Sequence, residues 1–122
     1  MSEQGKKIVI FDDDEDILSI CTYLLEENGW SVTGFTNCND AVNKVRREQP
    51  DIILMDNWIP DEGGINATRA LKKATELRAI PVVYFSANSD ISLLAESAGA
   101  DLYLAKPFDL EKLLLVLDTA LK

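Results

Sequence analysis

Four places in the chain carry polar groups suited to chemistry, and each follows a short apolar run. Asp12-Asp13-Asp14 follows Ile8 to Phe11, Asp56 follows Ile52 to Met55, Ser86 follows Pro81 to Phe85, and Lys106-Pro107 comes just after Asp101 to Leu104. Carboxylates, a hydroxyl and an ammonium are groups that hold a hard divalent cation and the oxygens of a phosphoryl group. Brought together, Asp12, Asp13 and Asp56 would repel one another, and a bound divalent cation removes that cost. Magnesium is the natural candidate, because it takes a few carboxylates together with waters and a phosphate oxygen. The chain has no histidine. That excludes Ser-His and Cys-His nucleophiles, a histidine base and the usual zinc and iron sites. Cys21 and Cys38 lie in stretches that read as helical, have no paired spacing for a metal, and fit a reducing cytoplasm.

The elements that must position these groups are legible from periodicity. A chain of 122 residues that is 47% hydrophobic and 27% charged is one soluble globular domain. Twenty-one acids against twelve bases give a net charge of -9, which argues against direct nucleic-acid binding or an anionic membrane surface. No apolar run approaches the length of a membrane span, and Met1 to Lys7 lacks the apolar region of a signal peptide. Five apolar runs predict strands over Ile8 to Phe11, Ser31 to Phe35, Ile52 to Met55, Pro81 to Phe85 and Asp101 to Leu104. Between them come helical patterns. The first has Ile17, Ile20, Cys21 and Leu24 on one face and stops at Asn28-Gly29. The second carries Ala41, Val42 and Val45, the third Ala67, Ala70 and Leu71, and the fourth Ile91, Leu94 and Ala98 before Gly99. The last has Leu110, Leu113, Leu114, Leu117 and Leu121 on one side.

Five strand-helix units in alternation predict an α/β fold, a doubly wound, flavodoxin-like (βα)5 domain built on a parallel sheet. Strands one, three and four are continuous apolar runs, as befits strands covered on both faces. Strands two and five alternate and belong at the edges. The order 2-1-3-4-5 satisfies this and places the topological switch point between strands one and three. Ligands bind beyond the carboxyl ends of such strands, where Asp12, Asp13, Asp56, Ser86 and Lys106 all lie.

The segments IVIFDDDEDIL, PDIILMDNWIP, VVYFSA and DLYLAKPFD together resemble the receiver domain of two-component response regulators, of the chemotaxis-regulator kind. Each motif alone is common; four in order, each at the end of the right strand, make a strong joint signal. The resemblance spans Lys6 to Leu121. It implies a receiver domain over residues 1–122, with its core at about 6–121 and no output domain in the chain.

Carried over residue by residue, the resemblance implies that Asp56 accepts a phosphoryl group from a sensor histidine kinase or a histidine phosphotransfer protein. Asp12, Asp13, Asp56 and the backbone carbonyl of Trp58 would ligate Mg2+. Lys106 and Ser86 would bind phosphoryl oxygens, and the Lys106-Pro107 bond would be cis. Ser86 and Tyr103 would form the switch, altering the face made by the fourth helix, fifth strand and fifth helix that a downstream protein reads. Such a module is not an enzyme beyond its own phosphoryl transfer and dephosphorylation. It would be cytoplasmic, and a monomer or a weak phosphorylation-dependent dimer. Gly63 departs from the Asp common in the family, at a loop position of little consequence. Trp58 and Asn88 stand at the two variable positions that tune phosphate loss, and the Trp58 ring would shield the acyl phosphate from water.

Blander readings exist for each residue. Asp12 to Asp14 resembles a solvated helix N-terminus, where acids complement the dipole, and Asp56 a strand-ending turn residue. Ser86 and Lys106 alone are a loop hydroxyl and a surface lysine, and Tyr103 a half-buried edge aromatic. Leu115 and Leu93 fall off their helices' core stripes, on the expected output face, and would form a partner or dimer patch. The bases on the second and third helices read as a solvated face. The rival function is a haloacid-dehalogenase-type phosphatase with Asp12 as nucleophile and Asp14 as acid/base. Asp16, where that family needs Thr or Val, and a missing later acidic motif count against it. A third reading is a receiver-like module that binds partners without phosphorylation.

Overall fold

The computed structural model describes residues 6–56, 63–86, 100–105 and 109–121, with side chains throughout except at 63–65, 86 and 105. The described elements run β1 (Lys7–Phe11), α1 (Glu15–Glu26), β2 (Ser31–Phe35), α2 (Ala41–Glu48), β3 (Ile52–Asp56), α3 (Gly63–Lys73), β4 (Val82–Ser86), β5 (Leu102–Ala105) and a C-terminal helix (Leu110–Ala120). The strands form one parallel sheet in the order β2-β1-β3-β4-β5, as the burial argument predicts. The predicted helix with Ile91, Leu94 and Ala98 lies outside the described residues.

Strand parity sorts the core into two layers. Val9, Phe11, Ile53, Met55, Val82 and Tyr84 point to the side covered by α2 and α3, where Ala41, Val45, Ala67 and Leu71 meet them. Ile8, Ile10, Ile52, Leu54, Val83 and Phe85 point to the other side, onto Cys21 and Leu25 of α1 and Leu113 and Leu117 of the C-terminal helix. Continuous apolar runs in β1, β3 and β4 therefore serve both layers at once. Full burial of each such side chain contributes about 1.5–3 kcal/mol, enough to hold the ends of β1 and β3 in fixed register.

Two helix readings need correction. In α1, Cys21 and Leu25 are buried, Ile17 and Leu18 are partly covered, and Ile20 is 56% exposed. The sequence offers two overlapping apolar stripes of helical period, and Gly34 selects between them. A Cβ at Gly34 would stand 3.2 Å from Leu18 Cδ2, so the bare glycine lets α1 settle on the edge strand with its Leu18 side inward. In α3, Ala70 is exposed while Thr68 is buried beside Ala67. Cys38 also departs from its helical reading. It lies in the β2–α2 loop, because the Asn37 side chain accepts the Asn39 N–H at 2.9 Å and Asp40 is left-handed at φ 56°, which delays the helix to Ala41.

Other stops fall where the sequence places them. Gly29 ends α1 with a left-handed φ of 88°, and Pro50 follows the left-handed Gln49 that closes α2.

Candidate functional site

The site is built at the carboxyl ends of β1 and β3, neighbours at the switch point. Asp12 directly follows β1, and its backbone N–H donates to the Phe35 carbonyl at 3.0 Å, carrying the β1–β2 ladder one step beyond the strands. Beneath it the rings of Phe11 and Phe35 stack with centroids 5.4 Å apart. Asp12 is fully buried, and its Oδ1 accepts the Asp14 N–H at 2.9 Å. Asp56 ends β3 and is 2% exposed. Carboxylate oxygens of Asp12, Asp13 and Asp56 all lie within 4.8 Å of one another, with Asp13 the exposed member. Two buried carboxylates and a third at the surface form a cluster open to solvent on one side.

The third acid of the run has a different task. Asp14 caps α1, its Oδ1 accepting the N–H groups of Asp16 at 2.9 Å and Ile17 at 3.3 Å. The bland reading of a helix N-terminus therefore holds for Asp14, while Asp12 and Asp13 join Asp56. An acid/base role for Asp14, as the phosphatase reading needs, competes with that cap.

Ser86 is the last residue of β4, and Asp56 pairs in register with Phe85, so Ser86 sits one step beyond Asp56 on the neighbouring strand. Its side chain lies outside the described residues, as do Lys106, Pro107, Trp58, Asn88 and Leu93. Lys106 directly follows Ala105, the end of β5. Tyr103 is in register with Tyr84 and is 49% exposed at the sheet edge. Leu115, on the outer side of the C-terminal helix, is 65% exposed.

A family model for the response regulator receiver domain matches residues 8–118. The chain belongs to the response regulator receiver domain family. Solved structures agree. A two-component response regulator from Clostridium difficile is 32% identical, with 96% of each chain covered and a TM-score of 0.84. The receiver domain of a sensor histidine kinase from Pseudomonas aeruginosa, described with a magnesium ion coordinated in its active site cleft, is 29% identical over 96% of this chain and 98% of its own, at TM-score 0.87. A chemotaxis protein of Vibrio cholerae shares the fold at 22% identity and TM-score 0.86, covering 95% and 98% of the two chains. The receiver domain is a phosphoacceptor module of two-component signalling, and its partners are histidine kinases or phosphotransfer proteins. Among its described residues, no helix is long and apolar enough to cross a membrane.

The receiver domain's acidic cluster passes a chemical test for magnesium. Its donors are all carboxylate oxygens from Asp12, Asp13 and Asp56, the hard ligand type this cation prefers, with an exposed side left for waters and a phosphate oxygen.

Sequence reasoning missed the polar groups under the site. Tyr84 is fully buried in β4, and among the described residues its hydroxyl has no hydrogen-bond partner. Burial first, then the nearby Cys38 and Asp56, push its phenol above the usual range, against a smaller pull from Arg69. Cys38 approaches Met55, the residue before Asp56, with its Sγ 3.6 Å from the Met55 Sδ. Burial raises the Cys38 thiol to about 12; Lys44 opposes this, and Asp56 adds to it. The one signal for Tyr84 was a phenol inside an otherwise apolar central strand.

Proposed function

We propose that Asp56 is the phosphoryl acceptor of this receiver domain. The observation that carries this reading is the buried Asp56 carboxylate at the end of β3, within 4.8 Å of the Asp12 and Asp13 oxygens. An Asp56 carboxylate oxygen attacks the phosphorus of a phosphohistidine on the donor protein. The new P–O bond forms as the P–N bond breaks, and the imidazole departs with the electron pair. Magnesium, held by Asp12, Asp13, Asp56 and the Trp58 carbonyl, would supply positive charge against the phosphoryl oxygens. Lys106 and Ser86, at the ends of β5 and β4, bind the same oxygens and favour the spread of charge in transfer. The domain performs only its own phosphoryl transfer and loss, and works by binding other proteins.

The Trp58 ring shields the acyl phosphate, so Trp58→Asn shortens its lifetime; an unchanged or longer lifetime refutes the shielding. Ser86 and Tyr103 relay the phosphorylated state to the face that includes β5 and the C-terminal helix, where Tyr103 stands half-exposed at the sheet edge. Leu115 belongs to that output face, and a cytoplasmic setting suits two reduced cysteines.

The test is intact mass after incubation with a small acyl-phosphate donor, with and without magnesium, beside Asp56→Asn and Asp12→Asn. One phosphoryl group that needs magnesium and is lost in Asp56→Asn supports the reading. A group that survives Asp56→Asn but is lost in Asp12→Asn moves the nucleophile to Asp12 and revives the phosphatase.

A further inference from the structure

The segment from Thr36 to Gln49 is tied to the sheet at its far end by Glu48, which meets Lys7 and Thr33, and is held less firmly where the loop enters α2. Its helix, α2, has only eight residues and begins at a left-handed Asp40 whose side chain makes no cap. The Asp40 carboxylate instead accepts the Asn43 side-chain amide at 2.7 Å. The helix closes on a second left-handed residue, Gln49, at φ 48°. Left-handed backbone is unfavourable for residues with a Cβ, and a helix this short is not stable by itself, so tertiary contacts must hold it. Ala41 and Val45 supply the buried ones.

Room to move is also present. A cleft of about 440 Å3 separates the loop before α2 from α3, with Cys38 on one wall and Ala67 and Ala70 on the other. Part of its polar lining is engaged internally, since Asn37 Oδ1 takes both the Asn39 N–H and the Lys44 ammonium at 2.9 Å and Asp40 holds Asn43. The cleft leaves the loop space for displacement relative to α3. On the inner side, Cys38 donates to Met55 at 3.6 Å, and Met55 is bonded directly to Asp56. The Tyr84 hydroxyl, without a hydrogen-bond partner among the described residues, lies in the same core layer, in register with Met55.

We propose that the β2–α2 loop is a conformational element coupled to Asp56 through the Cys38–Met55 contact, on the side of the sheet away from α1 and the C-terminal helix. It rests on the reading of Asp56 as the phosphoryl acceptor. Phosphorylation of Asp56 favours the arrangement in which Met55, the residue before it, stays against Cys38 and the loop stays shut. By reciprocity, opening the loop disfavours the phosphorylated state by the same factor.

The test is the rate at which a neutral maleimide alkylates Cys38, adding the thiol sulfur to one ring carbon and its proton to the other. It is read peptide by peptide so that Cys21 serves as an internal control. Cys38 is partly covered, with its sulfur against Met55, so its alkylation rate reports how often the loop lifts away. Phosphorylation with acyl phosphate and magnesium should slow Cys38 alkylation at least about fivefold, the lower end of coupling between sites, and leave Cys21 unchanged. Amide hydrogen exchange at 38–42 must slow in step, which added negative charge at Asp56 alone does not produce. Met55→Leu should keep the phosphoryl group but lose the difference. A phosphoryl group with equal Cys38 rates, or a full difference retained in Met55→Leu, overturns the coupling alone. No phosphoryl uptake in the intact mass overturns the Asp56 reading and the coupling with it.

Discussion

Asp14 donates its backbone N–H to Oδ1 of Asp12 at 2.9 Å and uses its own Oδ1 to cap α1. One residue thus fixes a buried member of the acidic cluster and starts the helix beside it. The two tasks are separable by mutation, because the first uses backbone and the second the side chain. Asp14→Ala should cost about 1 kcal/mol of stability through the lost cap, read as a lower urea midpoint. It should leave phosphoryl uptake in place. Loss of uptake would mean that the carboxylate of Asp14 works in the site as well as at the helix end.

The acidic cluster itself predicts a sign that depends on magnesium. Without the ion, three carboxylates within 4.8 Å repel one another, so Asp12→Asn should melt higher than the unaltered chain in the presence of a chelator. Asparagine keeps an oxygen for the Asp14 N–H, so that bond need not be lost. With the ion the order should reverse. Binding to the native state alone adds about 2.7 kcal/mol at a hundred times the dissociation constant, and the variant forfeits most of it. Thermal melts with and without magnesium decide the matter, and equal increments in both proteins would remove Asp12 from the ligand set.

How far the sequence reveals this site depends on which physics sets each residue. Strand order was legible because burial on one face or two writes itself into the apolar pattern of β1, β3 and β4. The ends of those strands then locate Asp12, Asp13 and Asp56 without any further information. The rotation of α1 was not legible. Two stripes fit one helical period, and the choice falls to Gly34, far along the chain, which admits Leu18 at close range. Nor could local pattern separate Asp14 from its two acidic neighbours, since all three are the same residue type and the division follows from where α1 begins. The loop around Cys38 escaped because an Asn37 side-chain turn and a left-handed Asp40 override an otherwise helical stretch.

Tyr84 places a hydroxyl inside the core. A buried hydroxyl with no partner among the described residues costs about 1–3 kcal/mol, whereas the ring itself packs among Val82, Met55 and Leu71. Tyr84→Phe removes the oxygen and keeps the ring. It should raise stability by about 1 kcal/mol in urea unfolding, with the same dependence on denaturant. A loss of stability would show that the hydroxyl is satisfied in solution, by an ordered water for instance.

Glu48 ties the end of α2 to the sheet, and its protonation should be visible in acid. Its Oε1 lies 3.0 Å from the Lys7 ammonium at the start of β1 and accepts the Thr33 hydroxyl at 3.1 Å. The Lys7 hydrogen bond first, then that from Thr33, hold the Glu48 carboxyl below the usual glutamate range. A carboxyl depressed in the folded state contributes stability that is present above its unfolded value and is lost as pH falls through its folded value. Both partners are partly exposed, so screening keeps the contribution within about 1 kcal/mol. Glu48→Gln should therefore be less stable than the unaltered chain at pH 7 by no more than that amount. The gap should close as the pH falls below about 4.3, and it should shrink at pH 7 in molar salt. Urea unfolding of both proteins from pH 7 downward measures it. A gap that stays constant into acid would assign the effect to lost packing instead of the charge on Glu48.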